Sequence, residues 1–245
     1  MTYCMALRLD DGLVFLADTR TNAGVDNIST YRKLHVFQPS SDRVFVLESA
    51  GNLASTQQVL DRIEQDLANP DEESLATVTH LSDAALYLGR LSRDVVAQHR
   101  EALATVGADG TSTFILGGQI ASERPDILLV YPEGNYIRAS DDRPFLQIGE
   151  TKYGKLMLEL AVRAQVDVDD AATIALSSML STTHANLSVG APFDLAIYRN
   201  GSLELERGRI EADSPLLADL QHQWITQLLA AVSVLPRIRP SDLTS

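Results

Sequence analysis

The second residue of the chain is a threonine that directly follows the initiator methionine, Met1. Methionine before a side chain as small as threonine is normally removed, and its removal would give Thr2 a free α-amino group. The unperturbed pKa of an α-amine is about 7.7–8.0, so much of it is neutral at physiological pH and can take the hydroxyl proton. Thr2 is therefore a candidate nucleophile with its own base, although many chains carry threonine here without such a role.

A carboxylate and an ammonium group occur where the first predicted hairpin would bring them to Thr2. Alternation over residues 2–9 and a return strand over 13–17, joined by an Asp-Asp-Gly turn, carry Asp18 back toward the start of the chain. Lys33 is the first residue of the next strand pattern, at 33–37. A lysine beside the amine would lower the pKa of the amine by like-charge repulsion, and Asp18 would hold that lysine. A surface salt bridge is the commoner role of such a pair.

Gly51 lies in the segment 48–52 (ESAGN), between an apolar strand pattern and the start of a helix. Backbone N–H groups are free at a helix start, and the missing Cβ lets a substrate carbonyl approach. Gly51 is thus a candidate oxyanion donor. The alternative is a glycine needed only for the turn between strand and helix.

Composition excludes several classes of function. The 245 residues carry a formal net charge of −13, with the same sign as nucleic acids and anionic membranes, so neither is an expected partner. Cys4 is the single cysteine, which rules out an internal disulfide and a cysteine-rich zinc site, and we expect neither metal nor cofactor. The sequence has no recognisable signal peptide and no apolar run of about 20 residues. It therefore predicts a cytoplasmic protein.

The remaining hydrophobic patterns predict one layered domain over residues 1–245. Strand patterns fall at 33–37, 43–48, 111–117, 127–131, 136–139, 193–199 and 203–207. Helical patterns fall at about 53–67, 82–103, 153–164, 167–182 and 215–232, the last before a short tail. Antiparallel hairpins with paired helices between them predict an α+β or α/β/β/α sandwich rather than a parallel βαβ fold.

Several of these segments, in this order, resemble the signature of proteasome β-subunits. They are Thr2, 17–20 (ADTR), Lys33, 49–57 (SAGNLASTQ), 148–149 (IG) and 188–195 (SVGAPFDL). The MTYC start, the segment 21–26 (TNAGVD) and the long C-terminal helix are most similar to Anbu, the bacterial ancestral β-subunit proteins. The resemblance spans about residues 2–199. It implies the four-layer sandwich of the N-terminal-nucleophile hydrolases.

The resemblance also implies a role for each matching residue. Thr2 would be the nucleophile, Asp18 and Lys33 its activating pair, and the Gly51 N–H the oxyanion donor. Asn22 and Leu53 would contact an extended peptide substrate.

Three further residues would stand behind the nucleophile: Glu150, Asn186 and Ser188. Here the chain departs from its relatives, because proteasome subunits usually have serine at the position of Glu150 and aspartate at that of Ala185. Asn186 or Ser188 would partly replace the missing aspartate. His184 has no catalytic partner in the sequence, and we expect a structural role for it.

These observations predict a threonine peptidase that acts on peptides or unfolded proteins inside a homo-oligomeric ring or open spiral. Two alternatives stay open. One is an amidohydrolase for a small peptide or non-protein amide, since fold does not fix substrate. The other is a catalytically weak assembly scaffold, which the departures at Glu150 and Ala185 suggest. The sequence identifies no ATPase partner.

Overall fold

The structure is a computed structural model that describes residues 1–22 and 28–243. Its strands are β1 (Tyr3–Arg8), β2 (Gly12–Asp18), β3 (Arg20–Asn22), β4 (Ile28–Thr30), β5 (Leu34–Ser40), β6 (Arg43–Gly51), β7 (Ser112–Ile120), β8 (Asp126–Val130), β9 (Tyr136–Arg138), β10 (Phe145–Gly149), β11 (Phe193–Arg199) and β12 (Leu205–Ile210). Its helices are α1 (Leu53–Ala68), α2 (Leu81–Val106), α3 (Lys155–Ala161), α4 (Val168–Ala185) and α5 (Pro215–Ser233), followed by a short 3₁₀ turn at Pro240–Asp242.

Two five-stranded antiparallel sheets form the centre of the molecule. The first has the strand order β10-β1-β2-β11-β12, and the second has the order β5-β6-β7-β8-β9. β3 and β4 form a separate short hairpin. All of these pairings are antiparallel, as the hairpin pattern of the sequence predicts.

Three apolar layers hold the sandwich together. One lies between the second sheet and the pair α1 and α2, one between the first sheet and α3 to α5, and one between the two sheets. Each of the two helix layers covers a sheet face that would otherwise meet water, which is why the layers stack in the order α/β/β/α. The predicted fold class is confirmed.

β1 lies between two of these layers, so both of its faces are buried. Tyr3, Met5 and Leu7 face the helices, whereas Cys4 and Ala6 face the second sheet. The alternation in the sequence reflects these two apolar environments rather than one buried and one exposed face. The nucleophile candidate is therefore anchored to a strand in the interior of the molecule.

The structure contains elements that the sequence patterns do not reveal. β10 is an outer strand paired with β1, at a place where the sequence indicates only a turn before a helix. The strand is five residues long and directly follows Pro144, so its periodicity is too short to recognise. The last strand begins at Leu205 instead of residue 203, because Leu203 adopts a left-handed φ of 55° in the preceding turn.

α5 packs on α4 through only part of its length. Trp224 donates its indole N–H to Ser181 at 2.9 Å, and Leu217 is buried beside it. Farther along the helix, Leu229 and Val232 are 67% and 65% exposed. Among the described helices, none is long and apolar enough to cross a lipid bilayer.

Candidate active site

Thr2 lies immediately before β1, at the wall of a cavity of about 460 Å³. Its carbonyl oxygen accepts a 2.7 Å hydrogen bond from the Glu150 N–H, which fixes the backbone at the strand entrance. Gly149 makes this approach possible, since a Cβ there would lie 2.0 Å from the Thr2 carbonyl oxygen. The cavity is lined by Met1, Thr2, Thr21, Tyr31, Lys33, Ser49, Ala50, Gly51, Leu53, Thr56, Gly149 and Glu150.

Asp18 is the last residue of β2 and is fully buried. The hairpin of β1 and β2 brings Asp18 Oδ1 to 2.9 Å from the backbone nitrogen of Tyr3, which donates to it. Tyr3 directly follows Thr2 in the chain. Lys33 donates to the same oxygen at 2.7 Å, and the Gly190 N–H approaches Oδ2 at 3.4 Å. The structure thus brings Asp18 to the start of the chain, as the hairpin argument predicts.

Lys33 connects this carboxylate with the N-terminus. Its ammonium donates to the Asp18 carboxylate and to the Arg20 carbonyl, both at 2.7 Å, and to the Met1 carbonyl at 3.4 Å. An ammonium group has three protons, so these contacts use all of them. Because the Met1 carbonyl carbon is bonded to the Thr2 nitrogen, removal of Met1 would leave one Lys33 proton directed at the Thr2 end of the cavity.

The ion pair of Asp18 and Lys33 is removed from solvent, with side chains 0% and 7% exposed. Burial raises the pKa of the Asp18 carboxyl above its ordinary value, while the Lys33 ammonium and the Tyr3 and Gly190 N–H groups oppose that rise. A buried charge pair that is also hydrogen-bonded is held in one geometry. The pair is therefore not the exposed salt bridge that was the alternative interpretation.

Gly51 ends β6 with a φ of +123°, a conformation that favours glycine. The N–H of the next residue, Asn52, donates to the Thr111 carbonyl at 2.9 Å, on the side of β7. The Ser49 N–H donates to the Lys33 carbonyl at 3.1 Å, on the side of β5. Because N–H directions alternate along an antiparallel strand, the Gly51 N–H points to the β5 side, beyond the first residue of β5, Leu34, which pairs with Glu48. It faces the cavity wall that holds Lys33.

One of the two positions at which the chain departs from the proteasome pattern, Glu150, lies in the cavity wall, whereas Ala185 does not line the cavity. Glu150 lines the cavity, and its Oε2 accepts a 3.0 Å hydrogen bond from the Asn186 amide. The Asn186 side-chain oxygen in turn accepts from the Ser188 N–H at 3.0 Å. The three residues predicted to stand behind the nucleophile are thus connected to one another. Among them, only Glu150 reaches the cavity surface.

The remaining predicted site residues differ in their placement. Leu53 lines the cavity at the first turn of α1. Asn22 ends β3 and pairs with Ile28, but its side chain lies outside the described residues. His184 is exposed near the end of α4 and lines none of the cavities described here.

Two site residues carry signals that the sequence interpretation did not use. Tyr31 lines the cavity, and its hydroxyl accepts a 2.6 Å hydrogen bond from Gln57. Gln57 belongs to the segment that resembles proteasome subunits, and this membership was a reason to look for its hydrogen-bond partner in the sequence. Gly190, whose N–H approaches Asp18, lies in the later resembling segment. Among the described residues, no group of three or more His, Cys, Asp or Glu side chains is arranged to hold a metal ion.

Comparisons with known proteins agree with this geometry. The model of the proteasome subunit family matches residues 2–198. Anbu (ancestral β-subunit) from Yersinia bercovieri is 39% identical, with a TM-score of 0.90 over 97% of this chain and 99% of that one. Anbu from Hyphomicrobium sp. strain MC1 is 43% identical, with a TM-score of 0.86 over 97% of this chain and 99% of that one.

A third structure is described as the helical assembly of the Anbu complex from Pseudomonas aeruginosa. It is 38% identical, with a TM-score of 0.92 over 98% of this chain and 99% of that one. A search among curated proteins gave no match. The chain belongs to the proteasome subunit family and, within it, to the Anbu group.

Proposed function

We propose that this protein is a threonine peptidase whose nucleophile is Thr2 after removal of Met1. Membership of the proteasome subunit family supports hydrolase chemistry of the N-terminal-nucleophile type. The observation that carries the proposal is the position of Lys33. Its ammonium bridges buried Asp18 and the carbonyl that joins Met1 to Thr2, within the cavity that Thr2 and Gly51 line.

The proposed reaction begins with transfer of the Thr2 hydroxyl proton to the Thr2 α-amine. The hydroxyl oxygen attacks the substrate carbonyl carbon, and the Gly51 N–H donates to the oxyanion that develops. The C–N bond then breaks, and the Thr2 ammonium returns the proton to the leaving amine. Water attacks the resulting ester, which releases the acid and regenerates the hydroxyl and the amine.

Lys33 and Asp18 act on the base in this scheme. A positive ammonium beside the α-amine lowers the pKa of that amine by repulsion, so that more of it is neutral at pH 7. Asp18 holds the ammonium in place through its 2.7 Å contact. Active sites commonly shift pKa values through burial and neighbouring charges, and this pair is buried.

Thr2-directed labelling tests the proposal. The purified protein is treated with an epoxyketone, which forms bonds to both the hydroxyl and the free amine, and the adduct is located by peptide mass spectrometry. We expect an adduct on Thr2 in the wild type and in Thr2→Ser, and none in Thr2→Ala. A variant with one alanine inserted between Met1 and Thr2 keeps the hydroxyl but displaces the amine, and it is the matched control.

Intact mass decides whether the nucleophile exists. We expect the protein to lack the mass of Met1. An active protein that retains Met1 would refute the mechanism, because the amine would be blocked. No Thr2-dependent adduct in a protein that lacks Met1 would instead favour the assembly scaffold over both enzyme interpretations, whereas an adduct without peptide cleavage would favour the amidohydrolase.

We also propose that the protein works as a homo-oligomer that encloses its active sites. The helical assembly of the Pseudomonas aeruginosa relative supports self-association, and the exposed apolar residues of α5, such as Leu229 and Val232, offer a surface for it. Light scattering with Leu229→Asp, against Gln227→Asp on the same helix, tests this surface. The unfolded-protein substrate and the cytoplasmic location remain predictions.

A further inference from the structure

The cavity of Thr2 continues into two others along β10. A second cavity of about 400 Å³ borders the first at Ala50, Gly51 and Gly149. A third cavity of about 370 Å³ borders the second at Leu129, Gln147 and Thr151. We call the second and third cavities together the β10 groove. It runs from the nucleophile toward the start of β10.

Among the described residues, no backbone group is hydrogen-bonded to Phe145 or Gln147 on the side of β10 that faces away from β1. The Arg8 N–H donates to Pro144 and the Glu150 N–H donates to Thr2, both at 2.7 Å. Hydrogen-bonded pairs alternate along antiparallel strands. The two bonds therefore show that the even-numbered residues from 144 to 150 direct their backbone N–H and C=O groups toward the N-terminal segment. Phe145 and Gln147 therefore direct their backbone N–H and C=O groups outward, and β10 is an edge strand of its sheet.

From this geometry we propose that the β10 groove binds the part of the substrate that follows the scissile bond. The inference rests on the proposed function of Thr2. An extended peptide would add to the β10 edge as a further strand, with its backbone bonded to Gln147. β10 runs toward the nucleophile, so a peptide antiparallel to it runs away from Thr2 in its N-to-C direction. The first sheet is antiparallel throughout, and this direction continues the pattern.

The lining of the groove defines what it selects. Within residues 1–22 and 28–243, no Asp, Glu, Lys, Arg or His side chain lines the second cavity, whose lining includes Leu129, Tyr131 and Ile148. Uncharged side chains are therefore favoured directly after the scissile bond, because a charge there would lose its hydration without a partner.

The far end of the groove is cationic. Arg138, Arg143 and Lys155 line the third cavity together with Phe145 at the start of β10. Phe145 precedes Gly149 by four residues, a span of about 13 Å at roughly 3.3 Å per strand residue. Arg138 is paired with Asp126, and Arg143 with Glu159 at 2.6 Å. Lys155 has no carboxylate within 4 Å in the described part of the chain. A carboxylate about four residues after the scissile bond is the group that fits this end.

Peptides with a fixed acyl side and one to five residues after the scissile bond test the proposal. Cleavage is followed by mass spectrometry, and kcat/KM should rise with each residue up to about the fourth. N-methylation of single amides after the bond should reduce kcat/KM at every second position, about 2- to 10-fold per lost hydrogen bond. A flat length series or an N-methyl scan without alternation would overturn the inference, even when Thr2 labelling supports the peptidase.

Charge reversal tests the far end. Against peptides that differ only in Glu or Gln at the fourth residue, the wild type should prefer Glu by about 2- to 5-fold, the range of an exposed ion pair. Lys155→Glu should reverse that preference, and Lys152→Glu, which lines no part of the groove, should keep it. An oligomer that dissociates in Lys155→Glu while the peptide preference is unchanged would instead assign this edge to contacts between copies, and would refute the proposal.

Discussion

Asp18 and Glu48 are both carboxyl groups with no solvent exposure, and their surroundings are opposite. Asp18 receives three donors, from Lys33, Tyr3 and Gly190. Neither oxygen of Glu48 has a hydrogen-bond partner in the part of the chain that the structure describes. Glu48 lies in β6, where it pairs with Leu34 of β5. The residue after it, Ser49, lines the cavity of Thr2.

The pKa values of the two carboxyls show the same contrast. Burial raises the pKa of both groups, but at Asp18 the adjacent ammonium opposes the rise. At Glu48 burial raises the pKa well above its usual range, and only the Leu16 N–H offsets a part of that rise without reaching hydrogen-bonding geometry. Asp18 thus has a counter-charge that favours its ionised form, whereas burial disfavours the charged form of Glu48 with no ammonium or guanidinium group beside it among the described residues.

The largest expected effect follows from removal of the Lys33 ammonium, which is the counter-charge of Asp18. Lys33→Met leaves Asp18 buried without its counter-charge, which should lower the free energy of unfolding by about 3–5 kcal/mol. It should also lower kcat/KM on the order of 10²–10⁴-fold, because the Thr2 amine loses the charge that keeps it neutral. Chemical denaturation and peptide cleavage measure the two effects.

The double variant Asp18→Asn/Lys33→Met separates stability from catalysis. It removes both charges, so most of the lost stability should return while activity stays low. Recovery of activity together with stability would show that the pair only supports the fold. In that case Asp18 would be no different in kind from Glu48.

Glu48 should show the opposite response, with a dependence on pH. Its pKa in the folded protein is raised above that of the unfolded chain, which is about 4.3. Its contribution is therefore most favourable below that value and is lost as pH rises toward the folded pKa, by at most about 1.4 kcal/mol per pH unit. Glu48→Met should stabilise the protein at pH 8, and more than at pH 5.

Urea unfolding at several pH values checks this prediction, with the exposed Glu64→Met on α1 as the matched control. The control should show no comparable pH-dependent difference from the wild type. A Glu48→Met variant that is destabilised equally at pH 5 and pH 8 would mean that the carboxyl has an essential role in the packing between the sheets. The contrast with Asp18 would then fail.

The sequence separates these two carboxyls only in part. Asp18 follows a recognisable hairpin, so its approach to Thr2 could be predicted from periodicity and turn chemistry. Glu48 ends the predicted strand 43–48 directly after the continuous apolar run 44–47 (VFVL), and that pattern does not indicate which face of the strand it occupies. Its burial depends on how the two sheets face each other, which local periodicity does not encode.

The β10 groove shows the same limit of sequence interpretation. The fold class and the residues Thr2, Asp18, Lys33 and Gly51 follow from hairpins and family resemblance. β10 is short and its neighbours are distant in sequence, so neither its pairing with β1 nor its open edge could be predicted. Long-range pairing is fixed by the assembled core.

Glu150 is a carboxyl of a third kind, because it lines the cavity itself and is only partly buried. A carboxylate near the Thr2 amine would raise the pKa of that amine and weaken it as a base at neutral pH. Glu150→Ser should therefore raise kcat/KM a few-fold at pH 7 and shift the acid limb of the pH–rate profile to lower pH. Glu133→Ser, outside the cavity, is the control. A profile that does not move would remove Glu150 from the control of the base.

Asn186 should give the smallest effect, because it reaches the nucleophile only through Glu150. Asn186→Ala removes the 3.0 Å bond to Glu150 and the 3.0 Å bond from the Ser188 N–H, both at partly buried positions. The free energy of unfolding should fall by about 0.5–1.5 kcal/mol per lost bond, and kcat/KM should change less than in Lys33→Met. Asn186→Asp keeps the acceptor for Ser188 but replaces the donor to Glu150 with a second carboxylate, so it adds like-charge repulsion to the loss of that bond and should lower stability further than the loss of the bond alone. If Asn186→Ala lost as much activity as Lys33→Met, the main influence on the Thr2 amine would come from Glu150 and Asn186 and not from the buried pair of Asp18 and Lys33.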